Sequence, residues 1–295
     1  MTPTGFALVI LSALFHASWN FLLKRAGGGQ IVVGMSKIAE SVIFAPIFLL
    51  GFRTTLPPLA TTLWLTVFAA VGVGANYVAL GQAYTHGELS FVYPIARGAA
   101  LVFLPVVGFV ALGEHLSFGG VIALTCITAG IVALNLSAFT SEAFHALTIA
   151  LRSRATAWAL TAALITALYT TWDKHAVRQM APFAYMYLYT FFVSLGYAAW
   201  LTYRHEKSVL AGTWRASRLA IVAIGALNTV SYLLVLFALR TGITSYVLGL
   251  RQLSIAAGVA LGWRYLREPM SRPRATGVAL IIGGCLLLSF SLRRP

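Results

Sequence analysis

A chain of 295 residues that is 59% hydrophobic and only 9% charged cannot cover a water-facing surface, since an ordinary soluble domain has about a quarter of its residues charged. Soluble enzymes and binding modules are thereby excluded, and the length suits roughly ten membrane spans of ~20 apolar residues each. The net charge of +14 does not indicate a nucleic-acid partner: the Lys and Arg residues sit at the ends of apolar runs, where they anchor helices and set topology, and no basic-aromatic module accompanies them.

In chain order, helical spans are expected at 4–24, 31–51, 62–85, 89–112, 117–137, 155–173, 182–203, 218–239, 243–266 and 274–292. Helices are required because backbone in lipid must satisfy its own hydrogen bonds, and the ~10-residue alternating strands of a barrel are absent. The first run lacks a basic leader region and a small-residue cleavage site, so it reads as a span and not as a signal peptide. His16, Trp19 and Asn20 share one of its faces. Span two carries Lys37 and Glu40, three apart on one helical face. Span three carries Asn76 and Tyr77, and span four Tyr93 and Arg97 with Pro94 and Pro105, which can break the backbone ladder and permit a bend. Cys126 and Cys285 lie inside apolar runs and form no CxxC, so they read as packing residues. Trp172 and Asp173 close span six, Asn228 and Tyr232 lie in span eight, and Tyr246, Arg251 and Gln252 lie in span nine.

Ionisable groups inside a span are costly and normally face a cavity or a partner. Glu40 is the one carboxylate expected well inside a span, which makes it the candidate proton-coupling group; the alternative is a structural Lys37–Glu40 pair. Arg97 and Arg251 could hold a substrate carboxylate in a bidentate pair or tie down helix ends and headgroups. His16, Trp19, Asn20, Asn76, Tyr77, Tyr93, Trp172, Asn228, Tyr232, Tyr246 and Gln252 either line a substrate cavity or bond helices together.

The two halves carry a repeat. An offset of 154 brings Arg97 to Arg251, Gly108 to Gly262, Leu112 to Leu266, Glu114 to Glu268 and Ser117 to Ser271; Ile127, Gly130 and Leu134 meet Ile281, Gly284 and Leu288. Arginine and glutamate in register are hard to obtain by chance in a chain this poor in charge. The division is then 1–140 for the first half, 141–153 for a linker and 154–295 for the second half. Five spans per half would enter the membrane from opposite sides. The expected fold is therefore an all-α polytopic membrane protein, ten transmembrane helices as two inverted five-helix repeats around a central cavity, as in secondary transporters. The tightly linked spans 3–4 and 8–9 would be its moving hairpins.

Leu112-Gly113-Glu114-His115-Leu116-Ser117 before a glycine-containing span resembles the end of an EamA repeat of the drug/metabolite transporter superfamily. Leu266-Arg267-Glu268-Pro269-Met270-Ser271 looks like its second copy, with Arg267 and Pro269 departing from the usual Gly-Glu context, and Trp19-Asn20 to Lys24 is similar to the first-helix pattern. Within the superfamily the chain looks most like bacterial exporters of aromatic and other amino acids. The resemblance implies a multi-pass protein of the bacterial cytoplasmic membrane that exports amino acids or related metabolites by alternating access.

A drug or nucleotide-sugar carrier is the alternative in the same class, although phosphorylated sugars would call for a denser basic cavity. An intramembrane enzyme would need paired aspartates, a His-Glu metal motif or a Ser-Lys dyad, and the spans contain none of these. A scaffold would gain nothing from an inverted repeat. The expected partners are a small-molecule substrate and the lipid bilayer; no cofactor or metal is expected, and a monomer is the simplest unit. The Lys/Arg distribution among loops favours both termini outside, whereas the resemblance implies both inside.

Overall fold

The computed structural model describes residues 2–27, 29–87, 89–267 and 269–291. Among these residues the protein is 87% helix with no strand. The elements are α1 (Pro3–Arg25), α2 (Gln30–Gly51), α3 (Leu59–His86), α4 (Leu89–Leu112), α5 (Phe118–Ala133), α6 (Ser141–Ala150), α7 (Arg154–Gln179), α8 (Pro182–Arg204), α9 (Lys207–Leu239), α10 (Thr244–Arg251), α11 (Leu253–Leu266) and α12 (Arg272–Ser291). Several helices begin where a short polar side chain captures a free amide. Thr2 accepts from Gly5 N with Pro3 in the first turn, Ser117 from Gly120 N, and Ser153 from Thr156 N.

Six helices, α1, α2, α3, α4, α9 and α12, are long and apolar enough to cross a membrane, and α5 is a shorter apolar helix. Exposed Leu50, Val110, Phe118 and Phe290 lie on the outside, where water would penalise them and acyl chains do not. The chain is a multi-pass membrane protein.

Twelve helices stand among the described residues in place of the ten expected, and of three local departures the first two add a helix each. The expected ninth span divides at Gln252 into α10 and α11. The linker 141–153 contains a helix of its own, α6, capped by Thr140. The eighth extends back to Lys207 across a kink at Ser217 (φ −131°, ψ 15°), so that the segment before the kink, with Trp214, Arg215 and Lys207, is a separate arm. Conversely, α4 runs through Pro94 and Pro105 without interruption; helices in lipid tolerate proline where neighbours satisfy the freed carbonyls.

α7 and α8 are long but less apolar, and packing explains why α7 can be. Its buried positions are Ala159, Ala162, Ala163, Thr166, Ala167, Thr170, Thr171, Asp173, Lys174 and others recurring at helical period, and α3 and α4 lie along it. A helix enclosed by protein needs small, close-packing residues more than it needs lipid-facing ones.

The helix pairings are matched across the two halves. α1 lies along α9 as α3 lies along α7, while α2 packs on α8 and α5 on α12. At the α5–α12 contact, glycines on both helices let the backbones approach closely. A Cβ on Gly130 would stand 2.7 Å from Gly277 O and 2.9 Å from Ile281; one on Gly284 would stand 2.9 Å from Ala123 O and 2.7 Å from Ile127. Each contact maps onto the other under the 154-residue offset. The same offset relates Gly113 (φ +65°) to Arg267 (φ 56°), the one non-glycine residue in the left-handed region among those described.

Candidate functional site

α1 supplies His16, which is buried. Its Nδ1 receives the guanidinium of Arg251 at 2.9 Å and the indole Nε1 of Trp19 at 3.2 Å. Both groups only donate, so Nδ1 carries the lone pair and the ring proton stands on Nε2. Asn20 folds back onto His16 O (2.7 Å). Arg251 ends α10, at the break before Gln252, and its guanidinium lies 5.1 Å from the centre of the Tyr232 ring, within cation–π range. Tyr232, on α9, donates its hydroxyl to Asp173 Oδ2, and Tyr185, on α8, donates to Asp173 Oδ1 at 2.6 Å. Arg97, half-buried on α4, acts electrostatically on both His16 and Tyr169. A continuous polar chain thus runs Trp19–His16–Arg251–Tyr232–Asp173–Tyr185, drawing on α1, α7, α8, α9 and α10.

Other expected site residues are placed elsewhere. Lys37 and Glu40 form a buried pair at 2.9 Å, and Asn228 adds an amide to Glu40 at 3.2 Å. Asn76 ties α3 to α7 through Ala162 O (2.8 Å) and Thr166 (2.9 Å). Tyr77 stands edge-on to Tyr197. Trp172 donates to Leu65 O (3.0 Å) and packs among Trp64, Phe68 and His175. Gln252 bonds its own helix at Leu248 O (3.1 Å). The Tyr93 side chain lies outside the described part of the structure, as does Glu268. Among the described residues no cluster of His, Cys, Asp or Glu could hold a metal ion.

Tyr246 belongs to a clasp at one end of the bundle, where it accepts from Ser117 N at 2.8 Å. Beside it, Glu114 follows the left-handed Gly113 and caps α10. Its carboxylate takes Thr244 N at 2.9 Å and Thr244 Oγ1 at 2.9 Å, and it pairs with Lys174 of α7. Lys174 in turn reaches Gly242 O at 2.7 Å. α10 has no cap of its own, since Ile243 precedes it, so the α4–α5 loop supplies the negative charge its N-terminus favours.

Three of these residues escaped the sequence reading as functional candidates. Asp173 was expected at the end of its span, but α7 continues to Gln179 and buries it; Glu40 is therefore not the sole carboxylate well inside a helix. Lys174 and Tyr185 carried no signal beyond being polar in apolar surroundings.

Residues 153–290 match the model of the EamA-like transporter family. Members of that family are membrane transporters of the drug/metabolite transporter superfamily. The EamA-like domain starts one residue before α7, and so contains Asp173, Tyr232 and Arg251, while His16 and Trp19 come from outside it. A protein of known crystal structure superposes on 98% of this chain and 98% of its own, with a TM-score of 0.74 at 14% identity. That likeness carries the fold alone. No curated protein matches.

Proposed function

We propose that the chain is a secondary transporter that exports amino acids, aromatic ones among them, or related metabolites across a bacterial cytoplasmic membrane by alternating access. The ten crossings are α1 to α5, α7, α8, α9, α10 with α11, and α12, arranged as two inverted repeats. Support comes from the matched helix pairings, the twofold-related glycine contacts of α5 and α12, and the EamA-like domain.

The observation that carries the reading is Arg251. An arginine buried between the halves, held by His16 on one side and the Tyr232 ring on the other, is costly in lipid and contributes little as a packing element. Its planar guanidinium is suited to take a carboxylate in a bidentate pair. Arg97 adds positive potential, and Trp19, Tyr232 and Tyr189 add aromatic surface for an apolar side chain. The Glu114–Lys174–Thr244 clasp closes one end of the bundle, and its release would open the site to that side.

Purified protein in liposomes should catalyse counterflow of labelled tryptophan, methionine or threonine, saturably. Arg251→Ala should lower the rate at least tenfold, about 1.4 kcal/mol of lost transition-state stabilisation. Folded protein that exchanges none of the three would remove the amino-acid reading and bring drugs or sugar conjugates forward.

A further inference from the structure

The chain has seven carboxylate side chains, and the structure gives all but one of the described ones a cation or open water. Glu40 holds Lys37, Glu114 holds Lys174, and Glu142 and Glu206 are exposed. Glu88 and Glu268 lie outside the described residues. Asp173 remains, buried on α7 with both oxygens engaged by phenols and with no ammonium or guanidinium in hydrogen-bond contact.

We propose that Asp173 is the coupling carboxyl of the transport cycle, holding in turn a proton and the cationic group of the substrate, so that the protein is a proton/amino-acid antiporter. This rests on the transport reading above and names its coupling ion.

The geometry favours Asp173 on three counts. First, it can exist in either protonation state without orphaning a neighbour. As a carboxylate it accepts from Tyr185 and Tyr232; as an acid it donates to one of them, whose hydroxyl can accept in turn. Second, the charged groups around it are few. α8 presents Tyr185 and Tyr189, α9 presents Tyr232, and α10 presents Arg251. α7 itself adds Tyr169, on which Arg97 of α4 acts, while Lys174 next in sequence is turned away to Glu114. Beyond Tyr189 stand Tyr77 of α3 and Glu40 of α2, the latter paired with Lys37. Third, Tyr232 joins Asp173 to Arg251, its hydroxyl on the one and its ring face under the other. Opposite charges on either side of one half-buried tyrosine suit a zwitterion: carboxylate to Arg251, ammonium to Asp173 once the Tyr232 hydroxyl yields. When the ammonium arrives, the proton leaves Asp173 for water and no covalent bond to carbon changes. Proton and substrate exclude one another at a single carboxyl, which is the requirement for antiport.

Asp173 is the only aspartate in the chain, so the wild-type protein can be tested without a substitution. Protein made with ¹³C-carboxyl aspartate gives one side-chain carboxyl resonance, which should titrate across the pH range in which the protein stays folded. A saturating concentration of whichever of tryptophan, methionine and threonine is transported should shift the midpoint to lower pH. Asp173→Asn should retain exchange at equal pH with a raised KM. It should lose the accumulation, about tenfold per pH unit for one-for-one exchange with the potential clamped, that a pH gradient drives in the wild type; Asp173→Glu should restore it. A resonance that does not move with pH, or Asp173→Asn accumulating under the gradient as the wild type does, would overturn the proposal. Titration in a protein that exchanges none of the three supports the proton site and overturns the amino-acid reading instead, so the two failures are told apart.

Discussion

At the scale of residues, rarity was the useful signal and chemistry alone did not sort it. His16, Trp19 and Arg251 are conspicuous polar groups in apolar runs, and they meet in one cluster. Asn76, Tyr246 and Gln252 are equally conspicuous and spend their polar atoms on backbone carbonyls or amides. Nothing local separates the two kinds, because the distinction depends on which helix stands opposite. Asp173 was obscured for a different reason: helix ends are the least certain part of a sequence reading, and six further residues of α7 turn a terminal aspartate into an enclosed one. The Lys37–Glu40 pair makes a stability prediction. Glu40→Gln leaves a lysine without its counter-charge in a buried site and should destabilise the protein by about 3–5 kcal/mol, read as a lower midpoint of thermal unfolding in detergent. Replacing both residues by methionine should cost far less, since a buried pair is close to neutral against apolar groups of similar volume. Arg267 makes the opposite prediction. It holds a left-handed backbone where the first half has Gly113, and that conformation costs a non-glycine residue about 1 kcal/mol. Arg267→Gly should therefore raise the unfolding midpoint, with exchange unchanged; a lower midpoint would mean that its side chain contributes more than its backbone costs.

At the scale of elements, apolar runs located most helices within a few residues, since the bilayer imposes length and composition together. What they could not foresee is the break at Gln252, which places Arg251 at a helix end, nor the arm before Ser217. Neither departure has a proline or glycine pair to announce it. The α5–α12 interface depends on backbone approach at Gly130 and Gly284, and there the sequence was informative, because both glycines stand in register across the repeat. Gly130→Val would drive its side chain into Gly277 O and Ile281, and α5 or α12 would have to shift. Overpacking of this kind costs about 1–3 kcal/mol. A lower unfolding midpoint in detergent is the expected result; an unchanged midpoint would show that the two helices can separate freely.

At the scale of the molecule, the central claim is that one site is reached alternately from two sides. The clasp of Glu114, Lys174 and Thr244 binds the α4–α5 loop, the end of α7 and the start of α10 at one end of the bundle. The all-helical membrane class was open to sequence reading because the bilayer demands long apolar runs. The clasp was not, since it is an ion pair between residues 60 apart in the chain. The most direct measurement is counterflow with that end held shut. In protein lacking Cys126 and Cys285, cysteines at positions 114 and 174, joined by a reducible thiol-to-thiol linker, fasten the clasp. Joined protein should stop exchanging labelled amino acid, and reductant should return exchange to the level of the unjoined protein. Exchange at the same rate with the linker in place would contradict alternating access through this end.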